Sequence, residues 1–299
     1  MSSGSEFARN YGFWNRPEQE SLRDATVLLN GAGGDGAQLG YKLAMMGVGN
    51  IRVTDPEVFE PENSNRVFCA TSSNMGRNKA EVLAEAIKDI RPETNVTAYS
   101  EGVTPDNISE LMDGVTLSID ETELTYPHIG TAIAREARKN GIPNLFVMNI
   151  GFAAVATSFA PNGKYTFERM MGLPQGAPLD EIAEMEVDFS RCLPYIPEYG
   201  DLDTLLAVQN GAKLPSISQG VDMASALGTT EAFLHLAGGQ GNRRKKPTWA
   251  PRFRYMDAYN GRSGTVRNAQ LGYYAGVLAM VARSRLGLNP HGDYKDAAQ

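Results

Sequence analysis

Between residues 25 and 150, short apolar runs alternate with stretches whose apolar positions recur every three or four residues. Ala25-Thr26-Val27-Leu28-Leu29-Asn30 is apolar almost throughout and stops at a glycine cluster, the pattern of a buried strand. The same reading predicts strands over 51–54, 95–99, 115–119 and 145–150. Helices are predicted over 38–46, 78–90, 107–112 and 129–139. In the second of these, Ala80, Leu83, Ala84 and Ile87 share one face. Thr104-Pro105-Asp106 supplies an N-cap region for the third helix, and Asn140-Gly141 stops the fourth. Alternation of this kind predicts an α/β fold: a Rossmann-type, doubly wound, mainly parallel sheet with helices on both faces.

The pattern changes after about residue 160. Pro161-Asn162-Gly163-Lys164 reads as a tight turn, and residues 170–211 are rich in Pro, Gly and acids with poor periodicity. An irregular crossover or small subdomain over the active face is expected there. Helical spacing returns over 220–236 and 269–286. The chain therefore divides into an N-terminal arm and helix (1–24), a Rossmann-like domain (25–160), and a crossover loop with a C-terminal substrate and dimerisation region (161–299).

Composition narrows the class. The chain of 299 residues is 42% hydrophobic, enough for a sizeable core, and its formal net charge of -7 excludes a general nucleic-acid binder. The short run Arg243-Arg244-Lys245-Lys246 opposes that sign and reads as a solvated loop. Cys69 and Cys192 are too few for a disulfide-stapled scaffold. The longest apolar stretch, 271–281, is broken by glycine and tyrosines and too short to cross a bilayer, so a cytoplasmic setting without membrane contact is expected.

Candidate chemistry begins at Gly31-Ala32-Gly33-Gly34-Asp35-Gly36, between the first strand and its helix. Gly31, Gly33 and Gly36 have the spacing of a phosphate-cradling turn, and Asp55 ends the second strand, where an acid can hold ribose hydroxyls. An NAD- or FAD-dependent oxidoreductase would show the same two features. Further on come Glu62-Asn63-Ser64-Asn65-Arg66, Gly76-Arg77-Asn78-Lys79-Ala80 and Asp120-Glu121-Thr122-Glu123. Hydride transfer has no evident use for these; a reaction at phosphorus does. When a carboxylate attacks the α-phosphate of ATP, cations such as Arg66 and Lys79, and a Mg²⁺ held by a carboxylate such as Glu123, neutralise the developing charge.

In order and spacing these segments resemble the ThiF/MoeB/HesA family, bacterial relatives of ubiquitin-activating enzymes. The resemblance covers roughly residues 5 to 150. It implies that Gly31, Gly33, Gly34 and Gly36 cradle the nucleotide and that Asp55 holds the ribose. It also implies that Asn63, Asn65, Arg66, Lys79 and Asp120 line the nucleotide site, with Glu123 at the Mg²⁺ position. Arg9, in the N-terminal arm, matches an arginine that reaches the ATP of the partner subunit, which implies a homodimer. The implied acceptor is a small carrier protein or peptide with a C-terminal carboxylate. Three departures stand out: Glu123 replaces an aspartate, Leu124 and Val67 replace Asn and Gln, and the paired C-x-x-C zinc motifs are absent, so no zinc is expected. Some relatives pass the acyl group to a cysteine in the crossover. Cys192 is the candidate here, with Arg191 placed to lower its pKa. An NAD-dependent oxidoreductase and a non-catalytic ATP-binding subunit remain the alternatives.

Overall fold

The structure, a computed structural model, describes residues 6–209, 212–240, 245–267 and 270–288. Arg243, Arg244 and His291 lie outside the described residues. Helix α1 (Arg16–Asp24) starts on a reciprocal cap. Asn15 Oδ1 accepts the Glu18 N–H at 2.9 Å, and the Glu18 carboxylate accepts the Asn15 N–H at 2.8 Å. The chain then runs β1 (Thr26–Asn30), α2 (Gly34–Met46), β2 (Asn50–Thr54), α3 (Lys79–Ile90), β3 (Asn95–Tyr99), α4 (Ile108–Met112), β4 (Leu117–Asp120), α5 (Pro127–Lys139) and β5 (Asn144–Ile150). Every strand and helix predicted in this half is present, with starts displaced by up to four residues. The largest displacement is at α2, whose first turn consists of the glycine loop itself.

Three strands were not foreseen. β5 reverses through Gly151-Phe152, with Gly151 at φ +60, into antiparallel β6 (Ala153–Phe159). That strand is Ala-Ala-Val-Ala-Thr-Ser-Phe, buried throughout and too poor in large side chains for a period to show. Beyond it, α6 (Phe167–Met171), α7 (Leu179–Ala183), α8 (Phe189–Cys192) and α9 (Leu202–Gln209) occupy the stretch expected to be irregular. The long helix α10 (Ser218–Leu236) follows. Then β7 (Arg252–Asp257) and β8 (Arg262–Arg267) extend the sheet, and α11 (Gln270–Arg285) closes the described chain.

The eight strands form one sheet in the order β3-β2-β1-β4-β5-β6-β7-β8. The first five in sequence are parallel and the last three antiparallel. Neighbouring residues on β1 serve opposite faces. Leu29 packs with Leu39, Leu43, Leu83 and Leu227 from α2, α3 and α10, whereas Leu28 packs with Leu111 and Ile133 from α4 and α5. A third cluster, around Phe146, Phe167, Met170 and Phe253, lies under the short helices. Because β7 pairs with β6, the sheet continues across residue 160.

Candidate active site

The chain leaves β1 toward β2 on one side, and β4 returns on the other. A doubly wound sheet opens a crevice at such a switch, over the carboxyl ends of its strands. Asn30, Thr54 and Asp120 end the three strands in register. The turn after β1 admits only glycine at two positions. Gly31 sits at φ +107, and a Cβ there would come within 2.6 Å of the Glu121 carbonyl; a Cβ on Gly36 would come within 2.1 Å of the Gly31 carbonyl. Gly33 has open space where its Cβ would be. It is the N-cap of α2 and offers no side-chain cap, and the first bond to close runs from the Ala37 N–H to the Gly33 carbonyl at 2.9 Å. An uncapped helix start facing an open crevice favours an anion.

Asp55 is buried and braces this turn. Its Oδ2 accepts the Ala32 N–H at 2.7 Å and its Oδ1 accepts the Glu57 N–H at 2.8 Å. Burial pushes its pKa up, against those two hydrogen bonds and Lys79. Lys79, 5% exposed at the start of α3, holds its ammonium 2.5 Å from Glu57 Oε2. Arg66 lays its stem beside Gly34, and its guanidinium donates to the Glu62 carbonyl at 3.1 Å and to Asn65 Oδ1 at 2.9 Å. Asn63 is buried and accepts the Glu60 N–H at 3.0 Å, so it shapes the 3₁₀ turn Pro61–Asn65 that presents Arg66. The glycine loop, Asp55, Asn63, Asn65, Arg66 and Lys79 are therefore gathered at one crevice. Glu123 is exposed, near enough to Lys213 for its charge to act there.

Three expected residues stand elsewhere. Asp120 is buried and turns toward α5, its Oδ2 3.2 Å from where a Cβ on Gly130 would sit and its Oδ1 bonded to Thr122. Burial pushes its pKa up to about 6. Arg9 is exposed, two residues from Phe7, whose ring packs against Gly47 just past the far end of α2. The 13 residues of α2 span about 20 Å, so Arg9 does not reach its own crevice. Cys192 is 0% exposed within the third core cluster, its Sγ directed at the Phe189 carbonyl, and burial pushes its thiol up to about 12. A thiol held protonated and closed to solvent is a core side chain, so the thioester expectation for Cys192 is corrected.

Sequence reading gave no role to five residues found here. Asp35, in the first turn of α2, accepts from the Asn149 backbone at 2.9 Å and from its side-chain amide at 2.9 and 3.0 Å. Desolvation raises it to about 7, opposed by those bonds and by Arg66. Glu121 lies against Gly31 and Gly36, and burial, then Asp35 and Asp120, push it well above the ordinary carboxylate range. The strap preceding α10 crosses the crevice: Ser216 donates to Asn149 Oδ1 at 3.2 Å and its carbonyl accepts from Asn65 at 3.3 Å. Lys213 on that strap pairs with Glu62 Oε1 at 2.9 Å; this raises its pKa, with smaller help from Glu60 and Glu123. The unusual acid inside the glycine fingerprint was the one available signal, at Asp35; Lys213 and Ser216 had none.

The sequence profile of the ThiF family matches residues 7–279. The chain belongs to the ThiF family. Its motifs had pointed there. The chain is similar to the tRNA threonylcarbamoyladenosine dehydratase of Escherichia coli K12, with 37% identity over 137 residues, 46% of this chain and 49% of that protein. It is similar to ubiquitin-like modifier-activating enzyme 1 of Dictyostelium discoideum, 31% identical over 132 residues, which are 40% of this chain and 13% of the relative. The match to the SAMP-activating enzyme E1 of Haloferax volcanii is 29% over 145 residues, 48% and 53% of the two chains. The chain thus spans about half, or less, of the length of these relatives. In fold it resembles E. coli MccB crystallised with ATP, at a TM-score of 0.66, 13% identity, and coverage of 90% and 72%. No helix among the described residues is long and apolar enough to cross a membrane.

Proposed function

We propose that this ThiF-family chain binds ATP in the crevice and adenylylates a carboxylate, the C-terminus of a small ubiquitin-like or sulfur-carrier protein or of a ribosomal peptide. One observation carries the reading: at the sheet's switch point Arg66 lies beside the uncapped start of α2, and Lys79 acts on Asp55, which braces the turn leading into it. In this reading Gly31, Gly33, Gly34 and Gly36 let the backbone approach the phosphates, and Asp55, braced on the loop, meets the ribose. The acceptor carboxylate oxygen attacks the α-phosphorus. The bond from that phosphorus to the β-phosphate oxygen breaks, leaving an acyl-adenylate and pyrophosphate. Arg66 and Lys79 stabilise the charge on the entering and leaving oxygens.

Among the described residues no group of three or more His, Cys, Asp or Glu could hold a metal. A nucleotide-borne Mg²⁺ needs only one or two carboxylates beside the phosphates, and exposed Glu123, near Lys213 of the strap that crosses the crevice, fits that need. When bound, the ion would neutralise phosphate charge. Arg9 serves the partner's crevice in a homodimer, since it lies too far from its own.

The relatives' names divide between a tRNA dehydratase and activators of protein modifiers. The chain's net charge of -7 favours a protein or peptide acceptor, because RNA docking needs a basic face. The test is ATP–pyrophosphate exchange screened against small Gly-Gly-ending proteins and short precursor peptides. Exchange should require both acceptor and Mg²⁺, and Lys79→Ala should lower it by about 10²–10³-fold. Undiminished exchange by Lys79→Ala, or a crevice that takes up NAD and not ATP, overturns the proposal.

A further inference from the structure

The antiparallel half of the sheet ends at β8, which pairs with β7 on one side and, among the described residues, with no strand on the other. It is exposed at every position but the half-buried Val266, as an edge is whose outward N–H and C=O groups are open to pairing. Arg262 starts the strand at the crevice end of the sheet, 4.0 Å from Glu198, and Arg267 finishes it at the opposite end. There Arg267 lines a concavity of about 510 Å³ together with Lys164, Arg169 and Arg191. The four cations come from four places in the chain: the β6–α6 connection, α6, α8 and β8. Local contacts bring these pieces together. The Arg191 stem lies against Gly172, just past α6, the Arg169 guanidinium stands 5.4 Å from the Tyr165 ring centroid, and Gln270, at the start of α11, donates to Ser190 Oγ of α8 at 3.0 Å. No acid lines the concavity. Arg191 shares Asp188 at 3.3 Å, and among the described residues Lys164, Arg169 and Arg267 have no ion-pair partner. Like charges gathered in this way repel, and an anion seated among them relieves the repulsion.

We propose that β8 takes on an extended acidic peptide segment as a further strand, with carboxylates of that segment seated in the basic concavity at the strand's end. Backbone pairing along residues 263–266 supplies attachment without regard to sequence, and the arginines and Lys164 supply the selection for carboxylates. Charges on an edge strand deter pairing between identical copies; here they also choose a partner of opposite sign. The free edge favours a peptide over a small polyanion, which has no use for a row of backbone groups. RNA is disfavoured because the cations are gathered in one concavity rather than spread along a face, and because the aromatic ring in the lining, Tyr165, is already faced by Arg169. The site shares no residue with the crevice, so it stands whether or not the crevice holds ATP.

The probe is a short capped peptide of alternating threonine and glutamate, fluorescently labelled and followed by anisotropy as the full chain is titrated in without ATP. Saturable binding is expected, about tenfold or more tighter than that of the same peptide with lysine in place of glutamate, and weaker as salt rises from about 0.1 to 1 M. Arg267→Glu, a change at an exposed position, should weaken it about tenfold or more with Tm unchanged. Two further peptides, N-methylated on every threonine or on every glutamate, each lose the N–H groups of one edge. One of the two should bind about tenfold or more weaker, because a strand pairs through one edge at a time. No saturable binding, equal binding of the lysine peptide, binding undiminished by Arg267→Glu or by both N-methylations, or tighter binding of inorganic triphosphate or oligouridylate in competition overturns the proposal.

Discussion

Replacing Asp35 by asparagine removes a carboxyl that the fold holds against its ordinary ionisation. The group titrates near 3.8 when solvated and about 7 in the folded chain, with burial the largest cause. At about 1.36 kcal/mol per pH unit, that gap is worth about 4 kcal/mol. Between those two values the folded chain keeps a proton that the unfolded chain has lost. Stability therefore falls as pH rises from about 4 to 7, and is flat in this group's contribution outside that window. Asp35→Asn does not titrate. It also replaces one accepting oxygen by an NH2 that cannot accept from Asn149, a loss of about 1 kcal/mol. The variant should thus be about 1 kcal/mol less stable than the natural chain at pH 4, and about 3 kcal/mol more stable at pH 8.5. Urea unfolding at five pH values measures both limits. ATP titrations give a second readout: affinity in the natural chain should decline as Asp35 ionises beneath the phosphates, and decline less in the variant. A stability difference that does not move with pH, or a variant less stable at pH 8.5, refutes the reasoning.

Gly36→Ala places a methyl 2.1 Å from the Gly31 carbonyl, so the loop must open; ATP titration should show binding lost, with about 1–3 kcal/mol of destabilisation in urea. Cys192→Ala should leave ATP–pyrophosphate exchange intact while lowering stability by about 1–2 kcal/mol, and a gel should show no thiol-sensitive conjugate in the natural chain. Arg9→Ala and Lys79→Ala should each be inactive alone yet recover exchange when mixed, because a mixed dimer keeps one intact crevice; a mixture as inactive as its parts removes the role of Arg9 in trans.

The parallel half of the fold was legible because β1 and β5 are largely apolar runs that stop at glycine, β2, β3 and β4 alternate apolar with polar positions, and the longer helices show an apolar face. The antiparallel half was not. β6 is built of alanine and other small residues, and β8, Arg-Ser-Gly-Thr-Val-Arg, is exposed along nearly all its length and so carries no buried face for a pattern to mark. Arg66 and Lys79 follow β2 closely in the chain, so local spacing alone brings them near Gly34 and Asp55. Asp120, the last residue of β4, turns to α5, while Glu121, the first residue past the strand, lies against the glycine loop. Lys213, Ser216 and Asn149 come from distant parts of the chain, and tertiary folding alone brings them to the site.

Helix α10 belongs to both halves of the molecule. Its residues Leu227 and Phe233 share a core with Leu39 and Leu43 of α2, and Val221, in its first turn, stands against Gly34. Cutting the chain near residue 160 would therefore do more than release an acceptor-binding appendage. It would uncover the flank of α2, the helix proposed to hold the triphosphate, and leave β6 as a raw edge. Any shift of the later half is thus one rigid rod away from the glycine loop.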